Sequence, residues 1–118
     1  MRPIFCLLFL ASSFYSSSAF STSFYDGNKL KEWADAIQRL DGNRGSSGDY
    51  QLSAQIGGYV AAVAETYDGD FFCLPEHVRL GQLVAVVSMY VTSHPEKWNT
   101  DARLLVMFSL RAAFPCKK

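Results

Sequence analysis

Two of the three cysteines of this chain and one of its two histidines could support nucleophilic chemistry. Cys73 and His77 lie four positions apart, so a thiol could meet an imidazole base. That chemistry needs a free thiolate at Cys73, because the thiolate is the reactive form of the side chain. Cys73 could instead form a disulfide bond with Cys116, and its sulfur would then not be available as a nucleophile. The choice between nucleophile and disulfide depends on the compartment in which the protein works.

The N-terminal segment indicates an exported protein. A basic start at Arg2 precedes an apolar run at 4–11, and small residues suitable for cleavage follow at 17–19. This order is typical of a secretory signal peptide, so we predict that 1–19 is removed and that 20–118 forms one mature domain. The apolar run is shorter than the roughly 20 residues that a membrane span needs. We therefore expect no membrane attachment after cleavage.

Export favours the disulfide over the nucleophile. Cys6 lies in the signal peptide, so the mature domain keeps two cysteines, Cys73 and Cys116. An even number of cysteines in an oxidising compartment predicts one disulfide bond. Each cysteine also has a proline and a phenylalanine beside it, which disfavours helical backbone there. In the chain-entropy model a loop of this length gains about 4 kcal/mol of stability from the bond.

Charge and composition exclude several classes of function. Without Arg2, ten basic residues remain against the 11 acidic ones, and nucleic-acid binding requires a clustered positive surface. His77 and His94 have a predicted helix between them and lack a third ligand at a suitable spacing for zinc. The acidic residues at 65–70 lack the ligand register of a calcium loop. We therefore predict no catalytic residue, no metal and no other cofactor, and expect that the protein is not an enzyme.

Four stretches show apolar residues at helical spacing. Asp26 or Asn28 could cap the first helix, and Asn99 or Thr100 could cap the last. The fold class predicted is all-α, a compact four-helix domain that has a possible fifth element at a short turn and is stapled by one disulfide. The four helices are predicted at 28–40, 50–67, 79–93 and 101–113.

Glycines and small residues mark two further features. The segment 41–49 contains three glycines and two serines, which predicts a flexible surface loop, and no lysine follows at the spacing of a phosphate-binding loop. On the second helix, Gly57 and Gly58 lie in a stripe of alanines, which predicts the close approach of another backbone. Packing against the domain's own third or fourth helix is the preferred interpretation. A self-association face is the alternative.

An acidic protrusion near Cys73 is the candidate for partner recognition. It combines acidic, aromatic and glycine residues on a base that the disulfide would hold in place, and loops on rigid scaffolds are favoured sites of recognition. The predicted partner-binding residues are Tyr67, Asp68, Gly69, Asp70, Glu76 and His77.

A series of short motifs across most of the mature chain gives the sequence a family resemblance. Together with Gly27 and Leu30, these motifs resemble the Rap/Tai family of type VI secretion amidase immunity proteins. The resemblance implies a small, all-helical, often homodimeric periplasmic protein of Gram-negative bacteria. It also implies that the protein binds a peptidoglycan amidase effector and blocks its catalytic groove. The motifs are Gly58-Tyr59-Val60-Ala61-Ala62-Val63-Ala64, Phe72-Cys73-Leu74-Pro75, Leu80-Gly81-Gln82-Leu83, His94-Pro95-Glu96 and Ala113-Phe114-Pro115-Cys116.

One departure from the family pattern concerns the first helix. Many relatives carry a further cysteine pair where this chain has Ala34 and Ile56, so we expect the first helix to be held only by packing, through Leu30, Trp33 and Ile37. Trp33 is interpreted as a core anchor.

Two other functions compete with immunity. A periplasmic holdase chaperone would expose apolar surface when its carboxylates are protonated, whereas an inhibitor would bind one partner near neutral pH. An enzyme that uses Cys73 after reduction is the third possibility, and an intact disulfide in the active protein would exclude it.

Overall fold

The computed structural model describes residues 22–117. The predicted signal peptide at 1–19 lies outside the described residues and stays a prediction. None of the helices in the described part of the chain is long and apolar enough to cross a membrane. The described residues form four α-helices and one short 3₁₀ helix, and they contain no β-strand. The elements are α1 (Gly27–Asp41), α2 (Ser47–Tyr67), α3 (Leu80–Ser93), the 3₁₀ helix (Pro95–Lys97) and α4 (Ala102–Ala113).

All four helices contribute apolar side chains to one core. α1 packs most extensively on α2, and α3 packs on each of the other three helices. Trp33 is 1 % exposed, which confirms its interpretation as a core anchor. Burying a side chain of the size of leucine, isoleucine or phenylalanine contributes about 1.5 to 3 kcal/mol. The largest buried side chains are Trp33, Phe72, Leu30, Ile56, Leu105 and Leu110.

The start of α1 is hydrogen-bonded to the start of α4, so packing alone does not hold the first helix. The Gly27 N–H donates to Thr100 O at 2.9 Å, and the Ala102 N–H donates to Tyr25 O at 3.0 Å. A Cβ atom at Gly27 would come within 2.7 Å of the Trp98 backbone. Glycine is therefore required there, and the expectation that α1 is held only by packing is wrong.

The helix caps differ partly from the prediction. Asp26 caps α1 as one of the two predicted residues, because its Oδ1 accepts from the Lys29 N–H at 3.1 Å. At α4 neither predicted residue is the cap. Asp101 takes that position, and its carboxylate accepts from the Arg103 N–H at 2.9 Å.

The loop between α1 and α2 is shorter than predicted, because α2 begins at Ser47. Asp49 lies in the first helical turn and is 6 % exposed. Its carboxylate accepts from Arg39 Nη2 at 2.6 Å and from the Ser46 N–H at 3.0 Å. The Arg39 side chain, and then the Ser46 N–H, lower the pKa of Asp49 to about 2. This ion pair joins the end of α1 to the start of α2.

The small residues of α2 face outward, contrary to the preferred interpretation. A Cβ atom at Gly57 or Gly58 would have nothing within 4 Å, and Ala54 and Ala62 are exposed. The preferred interpretation, close packing against α3 or α4, is therefore wrong for these positions. Ala64, which is 3 % exposed, is the member of the stripe that belongs to the core.

Candidate partner-binding surface

The segment from Tyr67 to Phe72 forms a tight turn at the end of α2. The Phe71 N–H donates to Tyr67 O at 3.2 Å, and the Gly69 N–H donates to Phe72 O at 2.8 Å. Gly69 has φ +88°, a conformation that glycine adopts without strain. Asp68 Oδ1 accepts from the Leu74 N–H at 2.9 Å. The turn is therefore fixed by its own backbone and by one carboxylate.

The two phenylalanines of the turn have opposite environments. Phe72 is completely buried in the core, whereas Phe71 is 49 % exposed. The Phe71 ring lies edge-on to the Tyr67 ring, with 5.6 Å between the centroids. Phe72 thus anchors the turn from below, and Phe71 adds an apolar group to the outer surface. The sequence analysis did not separate the two, since both are phenylalanines and they are adjacent in the chain.

A disulfide bond between Cys73 and Cys116 fixes the turn to the end of α4. The Cys73 N–H also donates to Phe114 O at 2.9 Å. The predicted disulfide is therefore confirmed, and a sulfur in this bond is not a thiolate that could act with His77. Cys73 lies between α2 and α3 and Cys116 lies beyond α4, so neither cysteine is in a helix, as their proline and phenylalanine neighbours predicted.

The remaining predicted binding residues lie on the other side of Cys73. Glu76 and His77 are exposed, within a turn in which the Val78 N–H donates to Pro75 O at 3.1 Å. No hydrogen bond among the described residues joins these two side chains to Asp68 or Asp70. The structure therefore presents two exposed turns on one disulfide-anchored segment, which we call the acidic loop (residues 67–77).

The acidic loop carries carboxylates that the described part of the chain does not neutralise. Asp70 and Glu76 are exposed, as is Glu65 just before the loop, and none of them belongs to the ion pairs found among the described residues. No lysine or arginine occurs from 45 to 78. These carboxylates therefore have no lysine or arginine of the same segment as a partner, and their charge is available to attract a protein with a cationic surface.

A second cluster, of mostly half-buried groups, was not found from the sequence. Lys97 of the 3₁₀ helix lies over the rings of Tyr90 and Phe108, at 5.3 and 5.9 Å from their centroids. His94 stacks on Tyr90 with 4.1 Å between centroids. The spacing of four between Tyr90 and His94 was a possible signal, but only the chain reversal at Pro95 places Lys97 against them.

A groove of about 620 Å³ lies between α1 and α3. Small and apolar residues such as Ala34, Ala85 and Met89 dominate its lining, which contains no histidine or cysteine. No group of three or more His, Cys, Asp or Glu residues that could hold a metal ion occurs among residues 22–117. The arrangement of these described residues therefore offers protein-binding surfaces and no nucleophile with a base.

A family model described as Rap1a immunity proteins matches residues 26–116, which includes all four helices, the acidic loop and both disulfide-bonded cysteines. No curated protein matches the chain.

Proposed function

Because the chain belongs to the Rap1a immunity protein family, we propose that it is an immunity protein that binds a secreted toxin and prevents the toxin from acting on the cell that makes both. The family match over 26–116 is the observation that carries this proposal. It agrees with the resemblance found in the motifs. Immunity proteins generally act by binding, and the exposed, rigid acidic loop is suited to that role.

The finer part of the proposal is that the toxin is a peptidoglycan amidase delivered by type VI secretion. The motif resemblance to the Rap/Tai family supports the choice of an amidase. The predicted signal peptide and the disulfide support a periplasmic location, since disulfides persist in oxidising compartments. The chain would then act where a peptidoglycan amidase meets its substrate.

We place the toxin contact on the acidic loop. Asp70, Phe71 and Glu76 are exposed on it, and the backbone beneath them is held by hydrogen bonds and by the disulfide. A loop that is already ordered loses little conformational entropy on binding, which favours a tight inhibitor. Its negative charge would also accelerate encounter with a cationic groove on the toxin.

Affinity capture followed by an activity assay tests the function. Tagged protein from the native cells should retain a small amidase in a stoichiometric complex, and the purified pair should show loss of peptidoglycan hydrolysis. Capture of many unrelated periplasmic proteins at low pH would support the holdase chaperone instead. A captured amidase that stays fully active in the complex would contradict the immunity proposal.

Charge substitutions test the contact surface. Asp70→Asn with Glu76→Gln removes two charges without removing the Asp68 oxygen that accepts from Leu74. Loss of a paired charge at an interface costs about 2 to 5 kcal/mol of binding free energy. The matched control is Glu32→Gln with Asp41→Asn, two exposed acids on α1. Equal affinities of the two double variants for the toxin would show that the acidic loop is not part of the interface.

We also propose that the protein is a homodimer that uses the exposed face of α2. Tyr50, Ala54, Gly58 and Ala62 recur every four residues and are exposed, and no charged residue occurs between Asp49 and Glu65. Small uncharged residues at this spacing permit two helices to approach closely. Analytical ultracentrifugation should show a dimer that Gly58→Glu converts to a monomer. The control is Gln82→Glu, on the exposed side of α3, which should remain a dimer. If the Gly58→Glu variant also remains a dimer, the exposed face of α2 is not the interface.

A further inference from the structure

A pocket of about 460 Å³ lies between α3, the 3₁₀ helix and α4, and both charged residues that line it are cationic. Its lining consists of Tyr90, Lys97, Phe108, Arg111 and Ala112. No carboxylate is among them. Glu96, the acid nearest to the pocket in the sequence, is exposed and precedes Lys97. The pocket therefore combines positive charge with an aromatic surface.

Lys97 is held in place before any ligand arrives. Its Nζ donates to the Tyr90 hydroxyl at 2.8 Å, which raises the pKa of Lys97 and keeps the amine charged. Tyr90 is itself fixed, because His94 stacks on its ring and His94 Nδ1 lies 2.7 Å from Tyr90 O. An ammonium group has three donors, so two remain for a ligand. Because the Lys97 side chain is already ordered, little conformational entropy is lost when a ligand binds to it.

Arg111 supplies the second charge. It is exposed in the last turn of α4, and no described residue forms a hydrogen bond or an ion pair with it. An arginine can bind a carboxylate through two parallel hydrogen bonds. The cations that do form ion pairs among the described residues are Lys29, Lys31, Arg39 and Arg103.

An apolar groove continues from this pocket. It has a volume of about 390 Å³ and shares Tyr90 and Ala112 with the pocket. Val86 and Met89 also line it, and Met89 is 71 % exposed. An apolar side chain placed here would bury surface next to the two cations. The combined surface selects a ligand that has a carboxylate and an apolar group close together.

We propose that this pocket binds a carboxylate of a partner protein, on a segment whose neighbouring apolar side chain enters the groove beside Met89. The proposal rests on the proposed function in one respect, which is that the toxin supplies this acidic segment. The carboxylate lies between Lys97 and Arg111, where charge-assisted hydrogen bonds are about twice as strong as neutral ones. This contact is separate from the acidic loop, so the toxin is held by surfaces of opposite charge.

An NMR titration of the ¹⁵N-labelled protein tests the pocket without the toxin. The probe is the blocked peptide acetyl-Leu-Asp-Phe-amide, and the matched control is acetyl-Leu-Asn-Phe-amide, which lacks the charge. We expect saturable shifts at Tyr90, Lys97, Phe108 and Arg111, with affinity for the asparagine peptide about tenfold lower. Raising the salt concentration should weaken binding of the aspartate peptide alone. Equal affinities, or shifts centred on another surface, would overturn the proposal.

Substitutions at exposed positions distinguish binding in the pocket from an effect of the overall charge of the protein. Arg111→Gln should lower the affinity for the aspartate peptide about tenfold, whereas Arg44→Gln, an exposed arginine elsewhere, should leave it unchanged. Equal effects of the two variants would refute the pocket. Because the titration uses no toxin, its failure would leave the immunity function to be decided by affinity capture. Conversely, a captured amidase that binds Arg111→Gln normally would refute the toxin as the source of the acidic segment.

Discussion

The acidic loop and the cationic pocket are both exposed and charged, but different forces fix them. The loop is held by backbone hydrogen bonds, by the buried Phe72 and by the disulfide between Cys73 and Cys116. The pocket is held by side chains that stack and donate to one another, with Tyr90 at the centre. Damage to the loop should therefore reduce the stability of the whole fold, whereas damage to the pocket should change mainly what the protein binds.

Removal of the buried ring is expected to have the largest effect. Phe72→Ala should lower the free energy of unfolding by about 3 to 5 kcal/mol, because it leaves a cavity in the core. Phe71→Ala is the matched control, since its half-exposed ring should cost less than about 1.5 kcal/mol. Urea unfolding measures both values. Similar losses for the two variants would show that the loop is not anchored through Phe72.

Removal of the disulfide should come next. The double variant Cys73→Ser with Cys116→Ser should lose about 2 to 4 kcal/mol, because the unfolded chain is no longer constrained. Addition of a reductant to the original protein should cause a similar loss and should not affect the double variant further. A double variant as stable as the original protein would mean that the hydrogen bonds of the loop suffice without the bond.

Acid should weaken the fold through the paired carboxylate of Asp49. The pKa of Asp49 is about 2 in the folded protein against an ordinary value of 3.8, so its stabilising effect is present above pH 4 and is lost as the pH falls towards 2. Asp49→Asn should be less stable than the original protein at pH 7, and the difference should shrink by pH 2. Asp70→Asn is the control, because the Asp70 carboxylate belongs to none of the ion pairs among the described residues. If the difference in stability between Asp49→Asn and the original protein stays constant with pH, the charged carboxylate of Asp49 is not what stabilises the fold.

The smallest expected change concerns the backbone of the loop. Gly69→Ala should lower the free energy of unfolding by about 1 to 2 kcal/mol, because φ is +88° at this position and alanine is strained in the left-handed region. Gly81→Ala, inside α3 and away from the proposed dimer face, should stabilise the protein by about 0.5 to 1 kcal/mol. A Cβ atom meets nothing within 4 Å at either position, so the opposite signs would come from the backbone alone. Thermal unfolding of the two variants provides the comparison.

The helices were predictable because apolar residues recur at helical spacing over long stretches, and every predicted helix end except the start of α2 lies within one residue of the observed end. The start of α2 was missed by three residues, since Gly48 and the serines around it resemble a loop. The helix starts there because Asp49 accepts from the N–H of the cap residue Ser46, and this three-residue spacing of serine and aspartate was a signal in the sequence. The acidic loop could be located by its composition, but the different fates of Phe71 and Phe72 could not.

The amino-acid sequence was sufficient to predict the all-α fold, the disulfide and the family, because each depends on local spacing, on residue counts or on motifs in order along the chain. Which helix faces are free depends on how the helices pack. This packing turned Gly57 and Gly58 outward, although their small size suggested close packing, and it required glycine at Gly27, where α1 approaches the Trp98 backbone. It also brought Lys97 and Arg111 to one pocket. Residues far apart in the chain become neighbours only when the helices pack, and one-dimensional spacing does not record that packing.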